Sequence, residues 1–155
     1  RAGLAGALWQ LGQRQEAIKH YQEMLRLNPG DNQGIRYTLL TCLLEEEMNE
    51  DARQLLAQYE GDMMATWRYN EALLLFREEG ASRSATAQLR EAVQYNPHVP
   101  EYLLGRKRMP RQLPPYVGLG DEAEAAYYVA EAGQLWLQQD GAMNWLRQVV
   151  DETSS

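Results

Sequence analysis

The side chains best suited to making or breaking bonds are few in this sequence, and their spacing does not suit them to it. The two histidines, His20 and His98, stand apart. A helical metal site needs a second ligand one turn away on the same face; neither histidine has one at i+4, so no metal is expected. Cys42 falls in register with Ile35, Leu39 and Leu43 on one apolar face, which makes it a core residue rather than a nucleophile. No Ser-His-Asp grouping can be assembled, and the many carboxylates mark no evident cleft. Gly118-Leu119-Gly120 has no strand before it and no lysine after it, so it is not a phosphate loop. Arg106, Lys107, Arg108 and Arg111 form a basic cluster. They read either as a docking site for an acidic partner or phosphate, or as a solvated loop that neutralises acidic helix ends. Glu45, Glu46 and Glu47 sit near a helix C-terminus, where the dipole disfavours them, so an internal contact with basic residues is expected. No catalytic residue and no cofactor is expected.

Bulk properties narrow the partners. A chain of 155 residues makes one domain with a sizeable core, and 45% hydrophobic with 24% charged residues is a globular composition. A net charge of -7 repels phosphate backbones and anionic lipid, so neither nucleic acid nor membrane insertion is expected. No run approaches the roughly 20 apolar residues of a membrane span. One cysteine cannot form an internal disulfide, which fits a reducing, cytoplasmic setting. The chain begins at Arg1 without methionine or a signal-like segment, so a piece of a longer protein is expected.

The elements that would position a binding surface show themselves as repeats. Ala17, Tyr21, Met24 and Pro29 are separated by gaps of 4, 3 and 5, and so are Ala85, Leu89, Ala92 and Pro97. The two prolines lie 68 residues apart, two units of 34. Each segment closes with Asn-Pro, the proline ending a helix, and Gly12 and Gly80 each stand five residues before Ala17 and Ala85, where they can turn the chain. Apolar periodicity predicts helices over roughly 2–11, 14–27, 32–47, 50–59, 63–79 and 82–95. A short helix follows from Pro100 to about Gly105. Five prolines and glycines between Met109 and Gly120 exclude a long helix there. Asp121 with Glu124 reads as a capping box opening a helix to about Gln138, with Tyr127, Tyr128 and Trp136 in its core. A last helix runs from Asp140 to near Val150, and the tail after Asp151 should fray.

This spacing resembles the tetratricopeptide repeat family. Tyr69, Ala72, Leu73 and Phe76 stand where that family places its large, small and aromatic residues on helix A, ahead of Gly80. A first repeat retains Ala5, Leu8 and Gly12. A middle repeat is expected over 32–63, with Ile35, Leu39, Cys42 and Leu43 on helix A and Ala52, Leu55, Leu56 and Tyr59 on helix B. It departs from the pattern in having Glu46 for the turn glycine and no closing proline. The resemblance implies an all-α superhelix of about three hairpins over 1–97 (1–31, 32–63 and 64–97). A proline-rich connector over 98–120 and capping helices over 121–155 then cover the apolar end face. It also implies a concave groove lined by A helices. Gln33, Arg36, Tyr37 and Leu40 occupy its slots in the middle repeat, and Trp67, Asn70, Glu71, Leu74 and Arg77 in the third. Arg36 would pair a carboxylate, Asn70 would bridge backbone amides and Trp67 would offer a rigid apolar face. Alternatively Arg36 pairs with Glu71 and Trp67 is buried by the C-terminal helices. The lysine-rich carboxylate clamp known in the family is not reproduced.

A second resemblance comes from Asn96-Pro97-His98-Val99-Pro100 with Tyr102-Leu103-Leu104, then Asp121, Glu122, Ala123, Tyr127, Tyr128, Trp136, Gly141, Ala142 and Leu146. Over about 85–146, with weaker echoes through the upstream repeats, this is similar to the suppressor of tumorigenicity 7 family, apart from a more basic connector. That family implies a helical-repeat interaction protein, with no reaction attached. The expected function is therefore a scaffold that holds a protein or peptide, with homo-oligomerisation open. The alternative is an accessory or oligomerisation domain whose activity lies upstream.

Overall fold

The computed structural model describes residues 2–154; Arg1 and Ser155 lie outside the described residues. Among the described residues every regular element is helical: α1 (Ala2–Gln10), α2 (Arg14–Leu27), α3 (Ile35–Glu45), α4 (Asn49–Gln58), α5 (Ala65–Glu79), α6 (Arg83–Tyr95), α7 (His98–Leu103), α8 (Glu122–Gln138) and α9 (Ala142–Ser154). The fold is an all-α helical repeat fold. It divides into two compact units, Arg1–Gln58 and Tyr59–Ser155.

In the first unit α1 and α2 form a hairpin turned by Gly12 at φ 83, where Gln13 N closes on Leu8 O. α2 stops at Asn28, before Pro29. α3 lies against both α2 and α4. That double packing explains why Leu39, Leu40, Thr41, Cys42, Leu43 and Leu44 are all buried: a helix covered on two sides becomes apolar nearly all round. Cys42 is a core residue, as its register predicts. α3 starts at Ile35 rather than 32 because Asp31 and Gly34 both take left-handed backbone angles, φ 52 and φ 72, which no helix continues. A Cβ on Gly34 would also sit 3.4 Å from the Tyr37 ring. At the other end it is Glu47, not Glu46, that takes the turn glycine's conformation, at φ 56. Glu45 and Glu46 meet the basic residue their helix end calls for: Arg14 Nη1 lies 3.0 Å from Glu46 and 3.8 Å from Glu45.

In the second unit α5 and α6 form a hairpin through Gly80, and Ser82 caps α6 by accepting from Ala85 N. α8 then packs on α5, α9 packs on α6, and α8 and α9 meet each other. The pair thus repeats the stacking of a helical hairpin on the hairpin before it. Aromatic rings fill the layer between: Tyr69 lies 5.6 Å from Tyr128, Trp136 6.2 Å from Trp145, and Trp145 stacks on Phe76 at 4.5 Å. Tyr128 and Trp136 are core residues as expected, whereas Tyr127 is partly exposed and donates its hydroxyl to Pro114 O at 2.7 Å. α9 continues to Ser154, past the point where the polar tail predicts fraying.

Candidate partner-binding surface

Each unit presents its own A-helix face, and each face is built over a buried carboxylate. In the first unit the carboxylate is Asp31. Its Oδ1 accepts from Ile35 N at 2.7 Å and its Oδ2 from Arg36 N at 2.9 Å. These are two of the donors that the start of a helix leaves without an intrahelical acceptor. Asp31 Oδ2 also takes Arg36 Nη1 at 3.0 Å, while Arg36 Nη2 donates to the Tyr37 hydroxyl at 2.9 Å. The guanidinium lies 4.5 Å over the Tyr37 ring. Arg36 and Tyr37 are therefore fixed as a pair at the half-buried start of α3, with Gln33 exposed beside them. Leu40 is part of the core.

In the second unit the carboxylate comes from α8. Glu124 Oε2 accepts from Ala65 N at 2.9 Å, and Oε1 accepts from Asn96 Nδ2 at 2.8 Å and Gly120 N at 2.9 Å. Asp121 supplies its half of the capping box, accepting from Glu124 N at 2.8 Å, but the Glu124 side chain leaves its own helix to serve α5. Along α5, Asn70 is fully buried and Trp67 is 3% exposed. Asn70 Oδ1 accepts from the Tyr128 hydroxyl at 2.6 Å, which in turn accepts from Trp136 Nε1 at 2.9 Å. Burial pushes the Tyr128 phenol up, and that of Tyr69 too, so both remain hydroxyl donors across the usable pH range. Trp67 meets the edge of Tyr59 at 6.2 Å. Leu74 is buried as well. Glu71 and Arg77 are half-buried; Glu71 accepts from Gln88 Nε2 and Arg77 donates to Gln139 Oε1, both at 3.0 Å. Burial holds the Glu71 carboxyl above its ordinary range, with Arg68 working against it and Glu91 and Glu60 adding to it.

Of the groove slots read from the repeat register, then, Gln33, Arg36, Tyr37, Glu71 and Arg77 have surface to offer, while Trp67, Asn70, Leu40 and Leu74 lie inside their units. Asp31, Glu124 and Tyr128 organise these faces without having been singled out for that role. The basic cluster divides in two. Arg106 pairs with Asp151 at 3.1 Å and Lys107 pairs with Glu122, whereas Arg108 and Arg111 are exposed. Among the described residues no group of three or more His, Cys, Asp or Glu is set to hold a metal ion, and no helix is long and apolar enough to cross a membrane.

Residues 2–63 match the tetratricopeptide repeat family. The chain is also 32% identical over 92% of its length to suppressor of tumorigenicity 7 protein-like of Danio rerio, covering 30% of that protein. The same identity and share of this chain hold for the suppressor of tumorigenicity 7 proteins of Macaca fascicularis and Mus musculus, of which the chain covers 30% and 28%. The likeness thus reaches well upstream of the 85–146 region where it is most legible. The chain spans less than a third of the length of these curated relatives. No solved structure matches it. Tetratricopeptide repeats indicate a protein–protein interaction scaffold, and the relatives' names specify no reaction.

Proposed function

We propose that the chain holds an extended protein segment against the A-helix faces of its repeats, and that the start of α3 is the principal contact. The observation that carries this reading is the Asp31–Arg36–Tyr37 arrangement. A guanidinium held by a buried carboxylate and a ring loses little freedom on binding, so it suits carboxylate or carbonyl oxygens of a partner. Gln33 adds an amide that can match a peptide backbone in both directions. On the second unit Glu71 and Arg77 offer one acid and one base at half-exposed positions. Trp67 and Asn70 act in this reading through α5, holding its face in shape. Arg106, Lys107, Arg108 and Arg111 are a secondary surface. The partner is protein rather than nucleic acid, the setting is cytoplasmic, and no catalysis is involved.

The coverage of the relatives favours a second reading, in which this region is an accessory or oligomerisation domain of a longer protein. Affinity capture from an extract separates the two. The parent is run beside Gln33→Ala/Arg36→Ala and Glu71→Ala/Arg77→Ala variants of matched helicity, and retained proteins are then titrated individually. A partner whose affinity falls by about tenfold or more with the first pair supports α3 binding. Equal affinity for all three proteins would overturn it. Self-association in light scattering with no other partner would favour the oligomerisation reading.

A further inference from the structure

Four large apolar side chains within seven residues of the connector remain in solvent: Leu113, Tyr116 at 82% exposure, Val117, and Leu119 at 55%. Single exposed apolar residues are ordinary on a soluble surface, but a contiguous run of them marks a contact site. The backbone beneath this run is tied down. Tyr127 donates to Pro114 O at 2.7 Å, Gly118 N donates to Asp121 Oδ2 at 2.8 Å, Gly120 N donates to Glu124 Oε1 at 2.9 Å, and Lys107 pairs with Glu122. All four anchors stand at the start of α8. Pro110, Pro114 and Pro115 fix φ along the same stretch. The strap is therefore held in shape between Pro114 and Gly118, while Tyr116 between them is left outside. Holding a contact segment ready in this way lowers the ordering cost of binding.

Charge indicates what the strap meets. Arg106 and Lys107 are neutralised by Asp151 and Glu122, but Arg108 and Arg111 are exposed and pair with no carboxylate among the described residues. On a chain of net charge -7 they make a local positive surface directly beside the apolar run. We propose that residues 108–119 dock an acidic protein segment bearing a large apolar side chain, with Tyr116 and Leu119 as the apolar contacts and Arg108 and Arg111 as the carboxylate partners. Nucleic acid fits less well. It needs a row of phosphate contacts, whereas Arg106 and Lys107 are already paired with Asp151 and Glu122, which leaves Arg108 and Arg111 to make them. The proposal uses none of the α3 or α5 residues and stands or falls independently of them.

A random peptide phage library panned on the intact chain tests it. Enriched peptides are titrated by fluorescence anisotropy against the parent, Tyr116→Ala, Arg108→Ala/Arg111→Ala and, as a control in neither surface, the exposed cation variant Lys19→Ala, with thermal melts checking each fold. Expected are peptides with Asp or Glu around a Trp, Phe or Leu. Tyr116→Ala should weaken them about tenfold. The double arginine variant should weaken them about three- to tenfold at low salt and less at high salt. Lys19→Ala should bind as the parent does. Peptides without acidic enrichment, peptides indifferent to both strap variants, or no enriched peptide at all would overturn the proposal. So would a labelled oligothymidylate that binds more tightly than the peptides, which would give the strap to nucleic acid. A dimer abolished by Tyr116→Ala would give it to a second copy of the chain and overturn it likewise.

Discussion

α3 and α5 are both A helices, and neither has a side-chain cap on its own N-cap residue, Gly34 in one and Met64 in the other. Each is capped instead by a carboxylate from elsewhere. For α3 that is Asp31, four residues before Ile35; for α5 it is Glu124, 59 residues after Ala65. The first arrangement is a feature of a loop and exists as soon as the loop closes. The second exists only once α8 is packed on α5. The same electrostatic need, orphan backbone donors at a positive helix end, is met locally in one unit and through tertiary structure in the other. A local cap should fail locally; a tertiary one should loosen everything it joins.

The largest effect should follow from Glu124→Ala. It strands Ala65 N and Gly120 N and removes one of the two acceptors of Asn96 Nδ2, which keeps the Asp121 carbonyl. Each buried donor left without an acceptor costs about 1–3 kcal/mol, so a loss of about 3 kcal/mol or more is expected. Urea unfolding measures the total, and hydrogen exchange should show lost protection in the first turn of α5 as well as at Gly120. Glu124→Gln keeps one carbonyl oxygen and should cost visibly less. Confinement of the change to α8 alone would break the distinction between the two caps.

Asp31→Ala comes next. Removing a cap of this kind costs about 1–2 kcal/mol, and here Arg36 loses its carboxylate as well. The exchange change should stay within the first turn of α3 and the loop before it. Asp31→Asn should recover part of the loss, because asparagine tolerates the left-handed backbone at φ 52 and keeps one acceptor oxygen. Loss of protection throughout the first unit would mean that the local cap is not local.

The same contrast explains what was legible in the sequence. Proline, glycine and apolar spacing act within one turn of chain, so both hairpin turns, the Asn-Pro helix ends and the core position of Cys42 could be read directly. The fate of Asn70 could not. Its position along α5 is that of a groove residue, and what buries it is Tyr128, 58 residues away. Glu124 misled for the same reason: its spacing from Asp121 is that of a capping box, yet its carboxylate serves a different helix. The α3 face was more legible because Arg36 is organised by residues within five positions of it. Asp31, in the turn Pro29-Gly30-Asp31-Asn32, carried a turn signal that identifies it after the fact.

Glu71 sharpens the comparison from the other direction. Glu124 is buried among several donors, whereas burial holds the Glu71 carboxyl above its ordinary range. A carboxyl raised in the folded state favours the fold in its protonated form. That stability is complete below the unfolded-state value and is lost as pH rises through the folded one. Glu71→Gln mimics the protonated form and keeps an oxygen for Gln88. It should melt higher than the parent at neutral pH, by roughly 1–3 °C, with the gap closing as pH falls below the ordinary carboxylate range. A gap that stays constant with pH would show that the carboxylate is not being opposed by burial.

The smallest effect concerns the opposite end of α3 and is a gain. Gln13 N closes on Leu8 O around Gly12 at φ 83; Met48 N closes on Leu43 O around Glu47 at φ 56. The two turns are the same, but one uses glycine and the other an exposed glutamate. A left-handed residue with a Cβ costs about 1–2 kcal/mol, of which glycine's extra unfolded-state entropy returns a part. Glu47→Gly should therefore stabilise the first unit by about 0.5–1 kcal/mol. Charge offers a rival account, since Glu47 also ends a run of three acids at a negative helix end. Glu47→Ala decides between them: it removes the charge and keeps the Cβ, so relief of backbone strain predicts no gain beyond a few tenths of a kcal/mol. If alanine matches glycine in urea unfolding, the glutamate's cost is electrostatic. If only glycine gains, this turn, like the cap at the other end of the helix, is governed by residues next to it in the chain.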